Sequence, residues 1–304
     1  MKAIQITSLD GPEAIELRDV DTPEPGPDQV LIRVRAAGVA FPEVLQSRGE
    51  YQMKPDLPFT PGAEIAGEVI SAPEGSGFSE GDRVAALCLL GGFAEQAVAP
   101  VDTTFPLPDA VSFEQGASII FNYGTAYFAL VERGHLQAGE SVLVHGAAGG
   151  IGTASIQVAK AFGAGRVVAV TSSDEKGRIA LDAGADEYVL ADGFKDGVTA
   201  NGKVDLVVDP VGGDRFTDSL RCLGEDGRLL VIGFTAGDIP TVKVNRLLLN
   251  NVSVVGVGWG AYVLSKPGHI ATEWAAMEPH LASGALQPVV GPSFPLTEAT
   301  QALL

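Results

Sequence analysis

Apolar and polar positions alternate along the first hundred residues of the chain. Stretches such as QVLIRVRAAGV (29–39) and EIAGEVISA (64–72) are separated by Pro- and Gly-rich segments such as DTPEPGPD (21–28). Alternation with a period near two is typical of a strand that buries one face. Clustered turn residues predict tight connections between such strands. We therefore predict short antiparallel strands from Met1 to about Val101.

Between Tyr123 and about Gly256 the pattern changes to continuous apolar runs separated by Ala-rich stretches of helical length. The runs are SVLVHGA, RVVAVTS, VDLVVDPVG, GRLLVIGF and NVSVVGV. Such runs are typical of strands buried on both faces, and their alternation with helices favours a doubly wound parallel sheet. After Trp259, further helices are predicted over TEWAAMEPHLASG and TEATQALL. The expected fold class is α/β.

Composition and charge narrow the class of protein. A chain of 304 residues with 46% hydrophobic residues can build two domains with substantial cores. With 38 acidic and 20 basic residues, the net charge of −18 repels phosphate backbones, so no nucleic-acid partner is expected. The apolar runs are short, and the first ten residues do not resemble a signal peptide, so we expect a cytoplasmic protein with no membrane partner. Cys88 and Cys222 are too far apart in sequence to indicate a disulfide framework or a zinc cluster.

One glycine-rich stretch, VLVHGAAGGIGTASIQVAKAFGA (142–164), carries the clearest chemical signal. It is interpreted as a buried strand, a tight turn and an apolar helix, with glycines at Gly146, Gly149 and Gly152. Where Cβ atoms are missing, a diphosphate can approach the backbone N–H groups at the helix start. The positive end of the helix dipole favours the same ligand. This strand-turn-helix unit therefore predicts dinucleotide binding, and the lack of a Gly-Lys-Ser/Thr sequence excludes a Walker phosphate loop.

The choice between NAD and NADP depends on the end of the next strand, about twenty residues further on. That strand ends in Thr171, Ser172 and Ser173, and Lys176 follows one turn later. Hydroxyl groups and an ammonium can hold a 2′-phosphate, which favours NADPH. Two alternatives remain open at this point. The serines could instead cap a helix, leaving Lys176 solvated, and a shifted turn could direct Asp174 to the ribose hydroxyls.

Metal ligands are sparse in the sequence. A zinc site needs clustered Cys, His and carboxylate ligands, whereas the histidines are scattered and have no cysteine near them in sequence. They are His135, His145, His269 and His280, and each is interpreted as a surface or capping residue. No metal is expected. Hydride transfer without a Lewis acid suits acceptors that are already electrophilic, such as quinones and conjugated enones.

Across essentially its whole length the chain resembles the zinc-free medium-chain dehydrogenase/reductases, in particular the NADPH:quinone oxidoreductase group related to zeta-crystallin. The matching stretches include PFTPGAEIAGEV, GGFAEQAV, NYGTAYFAL, GAAGGIGTASIQVAKAFGA, DPVGGDRF and VVGVGWG. The resemblance implies a β-rich, GroES-like substrate domain over residues 1–122 and 262–304. It also implies a Rossmann NADPH-binding domain over residues 123–261 and an active site between the two.

The resemblance also implies roles for individual residues. The cofactor would be held by Phe41, Thr125, Gly149, Gly150, Ile151, Gly152, Ser172, Lys176, Phe234, Thr235 and Trp259. Within that set, the four residues from 149 to 152 would bind the diphosphate and Ser172 with Lys176 the 2′-phosphate. Phe41 and Tyr51 would line the substrate site beside the reactive ring. Ala63 stands where zinc-dependent relatives have a ligand histidine, and Ala40 stands where family members usually have Asn.

The function implied is NADPH-dependent reduction of a quinone or related conjugated carbonyl, a small electrophilic substrate, by direct hydride transfer. Tyr51 is the candidate donor to the developing oxyanion; packing of its ring on the substrate is the alternative. Reduction of an enoyl thioester or another enone would use the same cofactor site. A non-enzymatic NADPH-binding role, crystallin-like or RNA-binding, is the third possibility. The apolar edge strand in NVSVVGVGWG is expected to pair with a second copy, giving a homodimer.

Overall fold

The computed structural model describes every residue from Met1 to Leu304. The chain forms two compact units. The first unit comprises Met1–Phe121, Gly268–Glu278 and Val290–Leu304, and the second comprises Asn122–Pro267 and Pro279–Val289. Residues 262–267 and 279–289, which the sequence analysis assigned to the substrate domain, cluster with the second unit.

The first unit is built on antiparallel strands, as the alternating pattern predicts. Its strands are β1 (Lys2–Ile6), β2 (Ile15–Asp19), β3 (Gln29–Ala37), β4 (Glu64–Ser71), β5 (Arg83–Leu87), β6 (Gln96–Pro100) and β7 (Thr104–Pro106). β1 pairs with β2, and the other five form an antiparallel sheet in the order β6-β3-β4-β5-β7. Its core includes Ile32, Ile65 and Val84, which have no exposed surface. Helices α1 (Phe41–Ser47) and α2 (Phe113–Gly116) follow strands of this unit.

The second unit contains a parallel sheet. Its strands are β8 (Ser141–His145), β9 (Arg166–Thr171), β10 (Glu187–Leu190), β11 (Val204–Asp209), β12 (Leu223–Val231) and β13 (Ser253–Gly256). Their order is β10-β9-β8-β11-β12-β13, and every neighbouring pair is parallel. The chain moves outward from β8 in one direction, then returns and continues from β11 in the other. Because crossover connections are right-handed, this reversal places helices on both faces of the sheet, and the doubly wound prediction is confirmed.

Helices alternate with these strands. They are α3 (Ile120–Tyr127), α4 (Gly150–Ala161), α5 (Asp174–Asp182), α6 (Phe194–Ala200), α7 (Phe216–Cys222), α8 (Asn245–Asn250) and α9 (Trp259–Ser265). A π-helical segment, Phe128–Arg133, continues α3. Short 3₁₀ helices span Pro12–Ala14, Val101–Thr103, Gly213–Arg215 and Leu296–Glu298. The two predicted late helices are observed as α10 (His269–Ala282) and α11 (Ala299–Leu303).

The sheet of the second unit has an apolar core on which the site depends. Leu143, Val168, Val207 and Leu229, one from each of four adjacent strands, have no exposed surface. Burial on both faces fixes the register of these strands, because a slip of one residue would move every side chain to the opposite face. The carboxyl ends of β8, β9 and β11 are therefore held side by side. No helix in the chain combines the length and the hydrophobicity needed to cross a lipid bilayer.

Candidate dinucleotide-binding site

The glycine-rich turn between β8 and α4 is closed so tightly that side chains are excluded from part of it. Gly146 has a φ of +59°, in the left-handed region that favours glycine, and its carbonyl accepts a hydrogen bond of 2.9 Å from the N–H of Gly149. A Cβ on Gly152 would lie 2.2 Å from the Gly146 carbonyl oxygen and 2.6 Å from the Cα of Ala147. Glycine at positions 146 and 152 is therefore a steric requirement of this turn.

The start of α4 leaves polar backbone groups free for a ligand. Gly149 is the N-cap residue and supplies no side chain to the first turn. The N–H groups of the first turn of a helix have no partner within the helix, and at this terminus they carry the positive end of the helix dipole. Gly149 and Gly150 are exposed. The turn thus presents unpaired donors at an open surface, which is the arrangement that binds a diphosphate.

The three hydroxyl residues after β9 have different roles. The Thr171 hydroxyl donates to the carbonyl of Ser173 at 3.1 Å, and the Ser173 hydroxyl accepts from the N–H of Lys176 at 3.3 Å as the cap of α5. Capping by a serine, the alternative raised from the sequence, is therefore correct for Ser173. Ser172 is exposed and makes no hydrogen bond with its side chain. The carboxylate of Asp174 accepts a 3.0 Å bond from the Tyr188 hydroxyl.

A cavity of about 340 Å³ joins the glycine turn to the end of β9. Its lining includes the turn from Gly146 to Gly149 together with Ser172, Lys176 and Arg215. Two of the lining residues are basic and none is acidic. In a chain with a net charge of −18, a cavity with this lining favours an anionic ligand.

Arg215 is a lining residue that the sequence analysis missed. It lies beyond β11, where the buried carboxylate of Asp209 accepts 2.9 Å hydrogen bonds from the N–H groups of Val211 and Gly212. The carbonyl of Arg215 accepts a 2.9 Å bond from the Ser219 hydroxyl. Both contacts fix the backbone that carries the guanidinium. The feature that could have indicated Arg215 is the strand order, because Arg215 follows β11, which neighbours β8 on the side opposite β9.

His145, interpreted from the sequence as a surface or capping residue, is in fact completely buried. Its Nε2 lies 2.8 Å from the Ser219 hydroxyl. The Ser219 hydroxyl donates its proton to the Arg215 carbonyl, so Nε2 of His145 must donate to the Ser219 oxygen. The buried Nδ1 of His145 has no partner. Burial, the largest effect, lowers the pKa of His145, the Asp209 charge opposes it, the nearby Arg215 charge lowers the pKa as well, and the result is a pKa of about 4. The ring is therefore neutral at physiological pH.

The other histidines lie in separate environments. His135 has a positive φ of 49°, and the His280 ring packs on Phe162 with centroids 4.8 Å apart. His269 Nε2 lies 3.4 Å from the Glu273 carboxylate. The two cysteines differ in exposure, because Cys222 is buried while Cys88 is only partly buried.

The remaining cofactor candidates of the second unit occupy different elements. Thr125 is buried within α3, and Trp259, 4% exposed, begins α9. Thr235 follows β12, and both its N–H and its hydroxyl donate to the carbonyl of Pro210 at 3.2 Å. Phe234 is 39% exposed. Thr235 and Phe234 thus lie on the loop that is tied to the end of β11, next to the turn that carries Arg215.

Two candidate residues belong to the first unit. Phe41 begins α1 and is 56% exposed, which is unusual for a large apolar side chain. Tyr51 is half-buried, and burial raises the pKa of its phenol, with a further rise caused by the Glu43 carboxylate. The phenol is therefore protonated at neutral pH and able to donate. Ala40 caps α1, and its backbone N–H donates to Glu43 at 3.0 Å.

A pair of buried carboxyl groups lies in the same unit. Glu43 accepts from the N–H of Ala63 at 3.3 Å, and Glu64 accepts from the N–H of Ile120. Burial raises the pKa of Glu43, and it raises the pKa of Glu64 to about 8. The Cys88 thiol donates to the carbonyl of Ala63 at 3.3 Å, and burial raises its pKa to about 12. No pattern in the sequence indicated this pairing.

Comparison with known proteins agrees with this architecture. Residues 26–109 match the alcohol dehydrogenase GroES-like domain, and residues 150–278 match the zinc-binding dehydrogenase domain. Quinone oxidoreductase-like protein 2 from Bos taurus is 38% identical over 290 residues, which cover 93% of this chain and 83% of the relative.

Solved structures are similar along the whole chain. A probable oxidoreductase from Mycobacterium abscessus has 44% identity and a TM-score of 0.89, with 100% of this chain and 94% of that one covered. The quinone oxidoreductase from Thermus thermophilus, solved also in complex with NADPH, has 37% identity, a TM-score of 0.86, and coverage of 100% and 96%.

A GroES-like domain combined with a parallel-sheet dinucleotide-binding domain defines a medium-chain dehydrogenase/reductase. Within that class, the chain belongs to the quinone oxidoreductase family, as its whole-length similarity to quinone oxidoreductases establishes. The resemblance identified from sequence is therefore confirmed.

Proposed function

We propose that the chain is an NADPH-dependent reductase of quinones or related conjugated carbonyl compounds, acting by direct hydride transfer without a metal. The observation that carries the proposal is the cavity beside the glycine turn, with two basic lining residues and no acidic one. We further propose that the protein works in the cytoplasm as a homodimer on a small electrophilic substrate.

The residues present fit the dinucleotide. A Cβ at position 152 would collide with the backbone of the turn, so glycine there keeps the turn closed. Gly149 and Gly150 are exposed and have no side chains where a diphosphate would approach. Gly149 to Gly152 would hold the diphosphate on the N–H groups of α4. Ser172 and Lys176 would hold the 2′-phosphate, because the Ser172 hydroxyl has no protein partner and Lys176 forms no ion pair. Bound NADPH would supply a hydride from C4 of its nicotinamide ring.

Hydride transfer without zinc is supported by the side chains at and around Ala63 in the first unit. Zinc is bound by thiolate, neutral imidazole and carboxylate. Ala63 has no ligand atom in its side chain, and the Cys88 thiol donates to the carbonyl of Ala63 at 3.3 Å. Glu64 accepts a hydrogen bond from the backbone N–H of Ile120. Quinones and enones accept hydride without a Lewis acid because their π-systems delocalise the arriving charge.

Tyr51 is the proposed donor to the oxygen that becomes negative when the hydride arrives. Its protonated phenol, with a pKa raised by burial, can donate a hydrogen bond without a metal. A donor at this position stabilises the transition state more than the ground state, because the acceptor oxygen carries more negative charge there than in the unreacted substrate.

The relatives support the same assignment. The Thermus thermophilus protein is a quinone oxidoreductase that was solved with NADPH, and the Escherichia coli quinone oxidoreductase, 27% identical, was also solved with NADPH. Both align with this chain over its full length.

The test is the initial rate of NADPH and NADH oxidation, followed at 340 nm, against a panel of quinones, enones and an enoyl thioester. A metal chelator is present in half of the samples. We expect chelator-insensitive oxidation of NADPH by quinones. Turnover with the enoyl thioester alone would replace the quinone assignment by an enone reductase. Tight NADPH binding with no turnover would favour a non-enzymatic role.

A further inference from the structure

We propose that Arg215 is a second cationic ligand of the cofactor's 2′-phosphate and that it determines selectivity for NADPH over NADH. This inference rests on the proposed NADPH site and adds to it a residue that neither the glycine turn nor the end of β9 contains.

The first argument is the position of Arg215. It lines the same cavity as Ser172 and Lys176, although it lies far from both in the sequence. The sheet order brings them together, because β9 and β11 flank β8 on opposite sides. The connection after β9 supplies the serine and the lysine, and the connection after β11 supplies the arginine. In open parallel sheets of this kind, dinucleotides bind in the crevice at such a topological switch point.

The second argument is that the Arg215 guanidinium has no partner in the protein. It forms no ion pair and donates no side-chain hydrogen bond. By contrast, Arg166 is paired with Glu187 at 2.7 Å, and Arg228 is paired with Glu140 at 2.7 Å. Asp218, close to Arg215 in sequence, forms its ion pair with Arg221 instead. A ligand would therefore displace no hydrogen bond or ion pair of the guanidinium, although Arg215 also lines a second cavity with Asp192, Asp214 and Asp218.

The third argument is that the backbone of Arg215 is fixed while its side chain is free. The Asp209 carboxylate binds two N–H groups of the preceding turn, and the Ser219 hydroxyl binds the Arg215 carbonyl. His145 donates in turn to Ser219. A planar guanidinium presented from a fixed backbone suits two-point binding of phosphate oxygens. Lys176, which lines the same cavity, contributes a single compact charge.

The test compares dissociation constants for NADPH, NADH, 2′,5′-ADP and 5′-AMP in four proteins. These are the unmodified chain, Arg215→Gln, Arg215→Lys and Arg178→Gln. Arg178 is the matched control, because it is an exposed cation on α5 outside the cavity lining. We expect Arg215→Gln to weaken NADPH and 2′,5′-ADP about tenfold, with NADH and 5′-AMP changed less than about twofold. Arg215→Lys should recover part of the loss, and Arg178→Gln should match the unmodified chain.

The outcomes separate the two proposals. If the unmodified chain does not prefer NADPH to NADH, the NADPH assignment fails, and this inference fails with it. If the preference is present and Arg215→Gln keeps it, only the role of Arg215 is wrong. Equal weakening of NADPH and NADH would assign Arg215 to the diphosphate and overturn its role in selectivity. Thermal unfolding of each variant identifies any loss that arises from misfolding.

Discussion

Gly152 and Gly146 pack so closely that a Cβ on residue 152 would lie 2.2 Å from the Gly146 carbonyl oxygen. That contact draws the first turn of α4 onto the end of β8. Gly149 lies in the same turn, but a Cβ there would meet only this oxygen, at 3.4 Å. Gly152 and Gly149 therefore have different roles. Gly152 keeps the turn closed, whereas Gly149 leaves room for the proposed ligand.

This difference predicts that one alanine substitution lowers stability and that the other lowers NADPH affinity. Gly152→Ala should lower the free energy of unfolding by about 1–3 kcal/mol, because the turn must open to admit the methyl group. Gly149→Ala should change stability by about 1 kcal/mol or less and weaken NADPH about tenfold or more, because its methyl group enters the proposed diphosphate position. Urea unfolding and cofactor titration measure the two effects. Unchanged NADPH affinity in Gly149→Ala would remove the diphosphate from this turn.

The parts of the site that could be predicted from the sequence are those encoded within a single stretch. The glycine spacing, the buried strand before it and the helix after it are all local, so the strand, turn and helix were predictable. The sequence could not separate Ser172 from Ser173, because only the backbone geometry determines which hydroxyl caps α5. Arg215 was missed because strand order, not sequence distance, brings β11 beside β8.

The buried polar groups could not be predicted from local sequence either. His145 looks like any polar residue at the end of a strand, yet it is fully buried and donates to Ser219 on α7, a helix that is distant in sequence. Glu43 and Glu64 are likewise placed together by tertiary packing, and no periodicity in their segments indicates it. The antiparallel and parallel parts of the fold were predictable because burial on one or both faces of a strand is visible in its own residues.

Tyr51→Phe tests the proposed donor in the first unit. If the phenol stabilises the developing oxyanion, removing the hydroxyl should lower kcat on the order of 100-fold, while the dissociation constant for NADPH stays the same. Steady-state kinetics with a quinone measures the split between kcat and KM. A higher KM with an unchanged kcat would show that the ring only packs on the substrate.

Glu64→Gln tests the buried carboxyl group through pH. The pKa of Glu64 is about 8 in the folded chain against an ordinary value of 4.5, so between these pH values the folded state binds more protons than the unfolded state. Stability therefore falls as pH rises through this window, by on the order of a few kcal/mol. Glutamine keeps the acceptor for Ile120 and has no charge, so the variant should lose less stability between pH 4.5 and 8.

Urea unfolding at about pH 5 and about pH 8.5 measures this difference. The matched control is Glu68→Gln, because Glu68 lies on the same strand and is partly exposed. Glu43, whose pKa is also raised by burial, acts in the same direction and leaves a residual slope in the Glu64 variant. Identical pH profiles for Glu64→Gln and the unmodified chain would contradict the account of the buried pair.

The proposed homodimer depends on the edge of the parallel sheet. β13 is the last strand in the order, and Leu248 and Leu249 on the preceding helix are 76% and 75% exposed. Unpaired strand edges and exposed apolar side chains favour association. Sedimentation equilibrium over a range of concentrations should give the mass of two chains, and Leu248→Glu with Leu249→Glu should shift the population towards one. A single-chain mass at every concentration would refute the dimer.

The most direct measurement mixes the NADPH-loaded protein with a quinone in a single turnover and follows absorbance at 340 nm. The proposed function predicts that NADPH is consumed in equal amounts with the quinol formed, with the same result in a metal chelator. If NADPH binds but stays unoxidised with every quinone tested, the quinone reductase assignment is wrong, whatever the cofactor site holds.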